Sequence, residues 1–209
     1  MRTLFIRSHG KLIRDKNTLA FVFPNKEKRY IPINQIKEIF VFSNVSLTSG
    51  AIKMLLYYRI PIHFYSKTGN YLGSLYPKNM PGKVIIKQVE KYLDYGTRLY
   101  IAKSIIEACR NNFYEVFRRK SSEAKRFMEI HIYQANNIAE VMGLESQIFK
   151  LAYELFDKIS KFKVVERTRH PPLNEANALI SFLNSILYGL ILTEIYKKGL
   201  LPTISYLHE

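Results

Sequence analysis

Few side chains in this sequence could do chemistry, and they lie far apart. His208 stands beside Glu209 at the end of "GLLPTISYLHE", residues 199–209. An imidazole next to a carboxylate can be a metal-ligating pair or part of a frayed tail. Glu145 is the second candidate. A helix is predicted to start near Gly143, with Ile148, Ala152, Leu155, Phe156 and Ile159 along one side. Lys150, Glu154, Asp157, Lys158 and Lys161 line the other. Glu145 lies three residues before Ile148 and seven before Ala152, so it falls on the apolar side, in the first turn. A carboxylate facing a core must be paired, protonated or bound to a cation. One in a first turn can also simply favour the positive end of the helix dipole.

Basic groups form the other set. The loop "ERTRHPP", residues 166–172, carries Arg167, Arg169 and His170 ahead of two prolines. The guanidinium fork matches phosphate oxygens, although a solvated basic loop reads the same way. Lys83, Lys87 and Lys91 recur at i, i+4 and i+8 and share one helix face. Asn177, Ser181, Asn184 and Tyr188 form a polar stripe on a greasy helix. Such groups need partners, either on a neighbouring helix or as supports around a site.

The elements that must position these residues fall into two kinds. Residues 4–7, 11–14, 18–23, 30–33 and 36–42 are rich in β-branched and aromatic types between polar turns, the signal of strands. Pro32 makes 30–33 an edge or a short strand. A helix is expected over 46–59, then strands in "IPIHFYS" and "YLGSLYP". Pro77 and Pro81-Gly82 mark a boundary. Beyond it, helical periodicity runs over 83–118, a break falls at 119–128, and helices follow at about 129–141, from Gly143, and over 174–198. Gly199 is a C-cap and Pro202 a stop. The fold class is therefore α+β: a β-rich domain over 1–78 and a helical domain over 79–209.

Composition narrows the partners. The chain carries 32 Lys and Arg against 17 Asp and Glu, a formal charge of +15. Residues 1–80 hold 13 basic and 3 acidic groups, and residues 81–209 hold 19 and 14. A field of this sign attracts nucleic acid first and an anionic membrane surface second. No helix in the sequence reads as joining a basic face to a strongly apolar one, which argues against the membrane. The single Cys109 excludes a disulfide framework within one chain and suits a reducing, cytoplasmic setting. The opening "MRTLFIRSHGK" has no apolar run leading to a cleavage site. The apolar run 178–193 contains Ser181, Asn184 and Ser185 and is shorter than the ~20 residues of a spanning helix. It reads as a buried core helix.

Five stretches taken together resemble one family. They are "IPINQIKEIFVF", "RIPIHFYSKTGNYLGSLYP", "VMGLESQIFKLAYELFDKI", "RTRHPPLNEANALISFLNSILYG" and "LPTISYLHE". In this order and spacing the chain resembles the CRISPR-associated integrase, also described as an endonuclease, the catalytic subunit of the spacer-acquisition complex. The resemblance implies a β-rich domain that helps two subunits pair into a homodimer, and a helical catalytic domain. It implies double-stranded DNA and the smaller acquisition subunit as partners. It also implies a Mg²⁺ or Mn²⁺ site built from a Glu in the "GLE" helix, a His in the "LHE" turn and an Asp further on.

Glu145 and His208 match the first two ligands, and the third has no counterpart, because the sequence given stops at Glu209. The family match does not support Glu209 as a ligand. Ser146 replaces a Gly common in the family, which bears on local packing more than on chemistry, and the stretch around 119–142 is shorter than in many relatives. The expected reaction is phosphoryl transfer on DNA, with activity lowered by the incomplete ligand set. Lys83, Lys87, Lys91, Arg167 and Arg169 are the expected phosphate contacts, with Tyr153 or Tyr188 near the site. A non-catalytic, basic DNA-binding or scaffolding dimer is the rival reading.

Overall fold

The structure, a computed structural model, describes residues 1–78, 81–169 and 171–208. His170 and Glu209, both raised by the sequence, lie outside the described residues. The fold is α+β, as the sequence predicts.

Strands alternate with tight turns through the first part of the chain. They are β1 (Arg2–Ile6), β2 (Gly10–Asp15), β3 (Thr18–Val22), β4 (Lys28–Ile31), β5 (Ile36–Val41), β6 (Val45–Leu47), β7 (Ile62–Tyr65) and β8 (Tyr71–Leu75). One four-stranded sheet has the order β1-β5-β7-β8, and a second has β4-β3-β2-β6. The β1–β5 and β5–β7 pairs are parallel and β7–β8 is antiparallel. Pro32 follows β4 directly, and β4 is an edge strand, where a missing N–H costs least. Leu12, Leu19, Ile39, Leu55 and Ile62 are fully buried in the core of this unit.

The helix expected over 46–59 is shorter. Residues 45–47 pair with β2 as a strand, and α1 (Ser49–Tyr57) begins after Thr48. The Thr48 hydroxyl accepts the Ala51 amide and fixes that start.

The remaining helices are α2 (Gly82–Leu93), α3 (Tyr95–Phe117), α4 (Ile138–Ile159) and α5 (Glu175–Lys197). The periodic stretch 83–118 is thus two helices, divided at Asp94, whose carboxylate accepts the Thr97 hydroxyl. That division corrects the reading that no helix joins a basic to an apolar face. In α2 alone, Lys83, Lys87 and Lys91 are exposed on one side, and Ile86, Val89 and Leu93 are exposed beside them. The helix expected at 129–141 is a 3₁₀ turn over Ile132–Gln134 followed by the start of α4.

The chain forms two compact units, Met1–Pro81 with Phe182–Leu200, and Gly82–Ser181 with Leu201–Glu209. The sequence reading kept all of 79–209 in one helical domain; in the structure Phe182–Leu200 groups with the strands. Three contacts explain this. The His63 ring meets the Thr193 hydroxyl at 2.8 Å, Tyr65 donates to the Ser185 carbonyl at 3.0 Å, and Lys37 pairs with Glu194 at 2.9 Å.

The expectation of a buried core helix at 178–193 is also corrected. Leu179, Leu183, Leu187 and Ile191 recur every fourth residue along α5, and each is about half exposed. The residues that α5 buries are Ala176, Asn177, Gly189, Leu192 and Thr193. Full α5 is also longer than the apolar run alone, and by length and composition it could cross a membrane. Hydropathy measures how apolar a helix is, not which side meets protein.

Candidate functional site

The helical unit buries Ala102 and Ile106 of α3 against Val141, Ile148, Leu151, Ala152 and Leu155 of α4, with Phe127, Ile132 and Leu207 closing the core. Helix α4 starts earlier than its apolar pattern suggests. The Asn137 side chain accepts the Glu140 amide at 2.9 Å, while the Glu140 carboxylate accepts the Asn136 amide at 2.6 Å and the Asn137 side-chain amide at 2.7 Å. This is the reciprocal bonding that ends a helix N-terminus. Gly143 therefore lies inside the helix, and Glu145 lies two turns from its start.

That position removes the capping explanation for Glu145, because the dipole acts within about one turn of the end. Glu145 sits four residues after Val141 and three before Ile148, on the edge of the buried stripe, and its side chain is 24% exposed. Cys109 of α3 is held nearby. Burial, and then the negative field of Glu145, raise its thiol pKa.

The chain returns to this place from α5. Gly199 takes a positive φ of 72°, its amide bonds to the Tyr196 carbonyl, and the Leu200 amide bonds to the Ile195 carbonyl. Those two bonds close the helix end. The strap from Leu201 onward carries Leu207 into the helical core, where it is 7% exposed, and leaves His208 at the surface. His208 Nε2 then lies 2.9 Å from Glu145 Oε2.

This spacing is what two ligands of one small cation require. A cation about 2.1 Å from each of two donors at a right angle puts them ~3 Å apart. The donor set, one carboxylate oxygen and one imidazole nitrogen, suits a divalent ion of the Mg²⁺ and Mn²⁺ class, the nitrogen leaning toward Mn²⁺. Among the described residues, no third His, Cys, Asp or Glu joins them in a group able to hold a metal.

The five basic candidates divide. Lys83, Lys87, Lys91 and Arg169 are exposed. Arg167 instead works inside the protein. Its guanidinium donates to Asn177 Oδ1 at 3.0 Å, to Ser181 Oγ at 2.9 Å and to the Thr168 carbonyl. Asn177 is fully buried and also binds the Thr168 amide and the Glu166 and Val164 carbonyls. The polar stripe on α5 thus finds its partners partly in the 164–168 loop. Its Tyr188 meets the Tyr71 ring in the β-rich unit, and Asn184 is exposed. Tyr153 packs beside Phe149 on α4.

Sequence reasoning passed over His63, which lies in a stretch read only as strand. It is fully buried, bonded through Nδ1 to Ser74 Oγ at 2.7 Å and through Nε2 to Thr193. Gln88, fully inside the helical unit, was likewise missed. A polar residue on the inward side of an amphipathic helix was the available signal for it.

The described residues thus form an α+β protein with a carboxylate and an imidazole in contact on its helical unit and a strongly basic sequence. Residues 4–209 match the family described as CRISPR associated protein Cas1, and the chain belongs to that family. It is 44% identical to a CRISPR-associated endonuclease Cas1 of Nanoarchaeum equitans, all of this chain aligning with 68% of that protein. It superposes on a Cas1 protein from Thermotoga maritima with a TM-score of 0.90 at 34% identity, covering the whole chain and 69% of the other. A casposase bound to an integration product shares the fold, with a TM-score of 0.81 at 19% identity over the whole chain and 65% of the other. The chain spans about two thirds of the length of the relatives it matches.

Proposed function

We propose that this chain acts in a metal-dependent DNA endonuclease and integrase that inserts new spacers into CRISPR arrays. The observation that carries this is the 2.9 Å approach of Glu145 Oε2 and His208 Nε2. It joins two ligands that the family resemblance pairs, from helix α4 and from a strap beyond α5. The likeness to the Nanoarchaeum endonuclease supports the endonuclease activity, and the likeness to a casposase bound to an integration product supports transfer between DNA strands.

In the integration reaction the 3′-hydroxyl of an incoming duplex forms a bond to phosphorus, and the bond to the target strand's own 3′-oxygen breaks. Hydrolysis is the same displacement with water as nucleophile. The proton leaves the attacking oxygen and one is taken up by the departing oxygen, so neither reaction needs an oxidant. Glu145 and His208 would hold Mg²⁺ or Mn²⁺, which when bound offsets the charge that develops on the phosphate and departing oxygens. His208 offers a ring nitrogen only when that nitrogen is unprotonated, so cation binding weakens in acid. The two donors found among the described residues would by themselves hold a cation weakly. Lys83, Lys87, Lys91 and Arg169 contact phosphates. The β-rich unit pairs two copies into a homodimer, and the smaller acquisition subunit joins them, in the cytoplasm.

Helix α5 belongs to protein packing rather than to a membrane in this reading. Its Thr193 and Ser185 bond to His63 and Tyr65.

A second reading is a non-catalytic, DNA-binding scaffold, favoured by the two-donor set among the described residues. Titration of Mn²⁺ into Glu145→Ala and His208→Ala separates the two. As an enzyme the protein loses Mn²⁺-dependent cleavage and strand transfer by at least ~10²-fold in both variants, with DNA affinity nearly unchanged. A wild-type chain with no Mn²⁺-dependent activity at all supports the scaffold.

A further inference from the structure

We propose that Gln88 is a positioning residue that holds the His208 strap against Glu145. The proposal deepens the reading above and rests on Glu145 and His208 acting as a pair.

Helix α2 turns Gln88 into the helical unit, where it is 6% exposed, while Lys87 and Val89 on either side are exposed. Its amide is used at both ends. Oε1 accepts the Leu201 amide at 2.8 Å, and Nε2 donates to the Leu201 carbonyl at 2.9 Å. One side chain thus satisfies both backbone groups of a single residue, as a neighbouring strand would. The backbone carbonyl of Gln88 accepts the Tyr206 hydroxyl at 3.2 Å. Residue 88 therefore grips the strap near both ends, at Leu201 and Tyr206.

Among its described residues the strap forms no helix or strand after α5, and besides the burial of Leu207 it is held by a few scattered bonds. Arg98 Nε donates to the Tyr206 carbonyl at 3.3 Å, with its guanidinium 4.6 Å from the centre of the Tyr92 ring. The Ile204 amide reaches the Leu201 carbonyl at 3.3 Å, and the His208 amide reaches Ser205 Oγ at 3.1 Å. The carbonyl that starts this local turn is the same one that Gln88 holds. Once Tyr206 is fixed, His208 lies two residues on, so its Cα can be no more than ~7 Å away. Loss of the Gln88 side chain frees the strap at Leu201 and leaves residue 88 only its backbone bond to the Tyr206 hydroxyl, which allows the imidazole a wider range, and a ligand pair misplaced by ~1 Å holds a cation less tightly.

Neither glutamate nor methionine, both close to glutamine in size, makes the same grip. Glutamate accepts the Leu201 amide but cannot donate to its carbonyl. Methionine fills the volume and does neither.

The test compares wild type, Gln88→Met, Gln88→Glu and Ile106→Val by NMR without metal, then with Mn²⁺ added. Ile106 is buried in the same core and far from the strap in sequence, so it controls for a general loss of stability. His208→Ala identifies the His208 ring signal among the five histidines. Wild type and Ile106→Val are expected to show a nuclear Overhauser contact between the His208 ring and the Glu145 methylenes, and slow exchange of the Leu201 amide. Gln88→Met is expected to lose the contact, to exchange at Leu201 at least ~10-fold faster, and to need at least ~10-fold more Mn²⁺ to broaden His208. Gln88→Glu should fall between. Gln88→Met with the contact and the slow exchange intact overturns the proposal. So does a Gln88→Met that loses slow exchange at Leu201 but keeps the His208 contact. A wild type that shows the contact but no broadening by Mn²⁺ overturns the metal reading instead, and leaves the Gln88 grip judged on the metal-free signals.

Discussion

His63 of β7 and Thr193 of α5 meet through a hydrogen bond of 2.8 Å across 130 positions of sequence. The ring is fully buried, and its other nitrogen is 2.7 Å from Ser74 Oγ and 3.4 Å from the Tyr76 hydroxyl. Burial lowers the His63 pKa from 6.5 to about 4, and the negative field of Glu38 opposes this only in part. The folded protein therefore keeps this ring neutral in weak acid, while an unfolded chain protonates it. Its contribution to stability is full above pH 6.5 and is lost as the pH falls toward 4. The loss is expected to reach on the order of 2–3 kcal/mol. Urea denaturation at pH 7.5 and 4.5 measures it. His63→Gln should show a smaller difference between the two pH values, and an equal difference would remove His63 as the cause.

Gly189 lies on the side of α5 that faces the strands. A methyl group there would collide with the Tyr65 hydroxyl and with the Phe40 ring. Gly189→Ala is expected to lower stability by about 1–3 kcal/mol even though alanine is the better helix former. Thermal melting checks it; a raised melting temperature would mean that the two rings move aside freely.

Arg167 and Arg169, two residues apart in one loop, should separate cleanly in DNA binding. Arg169→Ala is expected to lower the slope of log affinity against log salt by about 1, the loss of one phosphate contact. Arg167→Ala should leave that slope nearly unchanged and loosen the 164–168 loop instead, because its guanidinium is bonded to Asn177 and Ser181. Salt titrations of DNA affinity, read beside proteolysis of the loop, distinguish them. Equal slopes for both variants would place both arginines, or neither, on the phosphates.

Asn137 and Glu140 set where α4 begins. Asn137→Ala is expected to cost about 1 kcal/mol of stability. Because Glu145 rides two turns further along the same helix, Mn²⁺ binding should fall much less than in His208→Ala. A comparable loss in the two variants would make the helix start itself part of the site.

The sequence was most legible where the period was short and the signal local. β-branched runs between turns marked the strands, Pro32 marked an edge, and Gly199 marked the end of α5. Strand Val45–Leu47 escaped because its three residues carry too little pattern to stand apart from α1. The start of α4 escaped because Asn137 and Glu140 act through hydrogen bonds that apolar spacing does not reveal. The amphipathic character of α2 was hidden by reading through the break at Asp94.

The candidate site was legible in part. Residue types and family resemblance together singled out Glu145 and His208. Arg167 illustrates the opposite outcome, since a basic residue in a loop looks identical in sequence whether it faces phosphate or a buried Asn177.

The amino-acid sequence by itself determined the α+β class, the excess of positive charge and the alternation of strands and helices, and its family resemblance singled out Glu145 and His208. Tertiary structure decided what those residues meet. It brought Glu145 and His208 to 2.9 Å, turned the apolar side of α5 outward while burying Thr193 and Asn177, and tied the His208 strap to Gln88. The reason is one of range. Periodicity and composition act over a few residues along the chain, whereas a ligand pair or a buried hydrogen bond exists only after distant segments have paid the entropy of coming together.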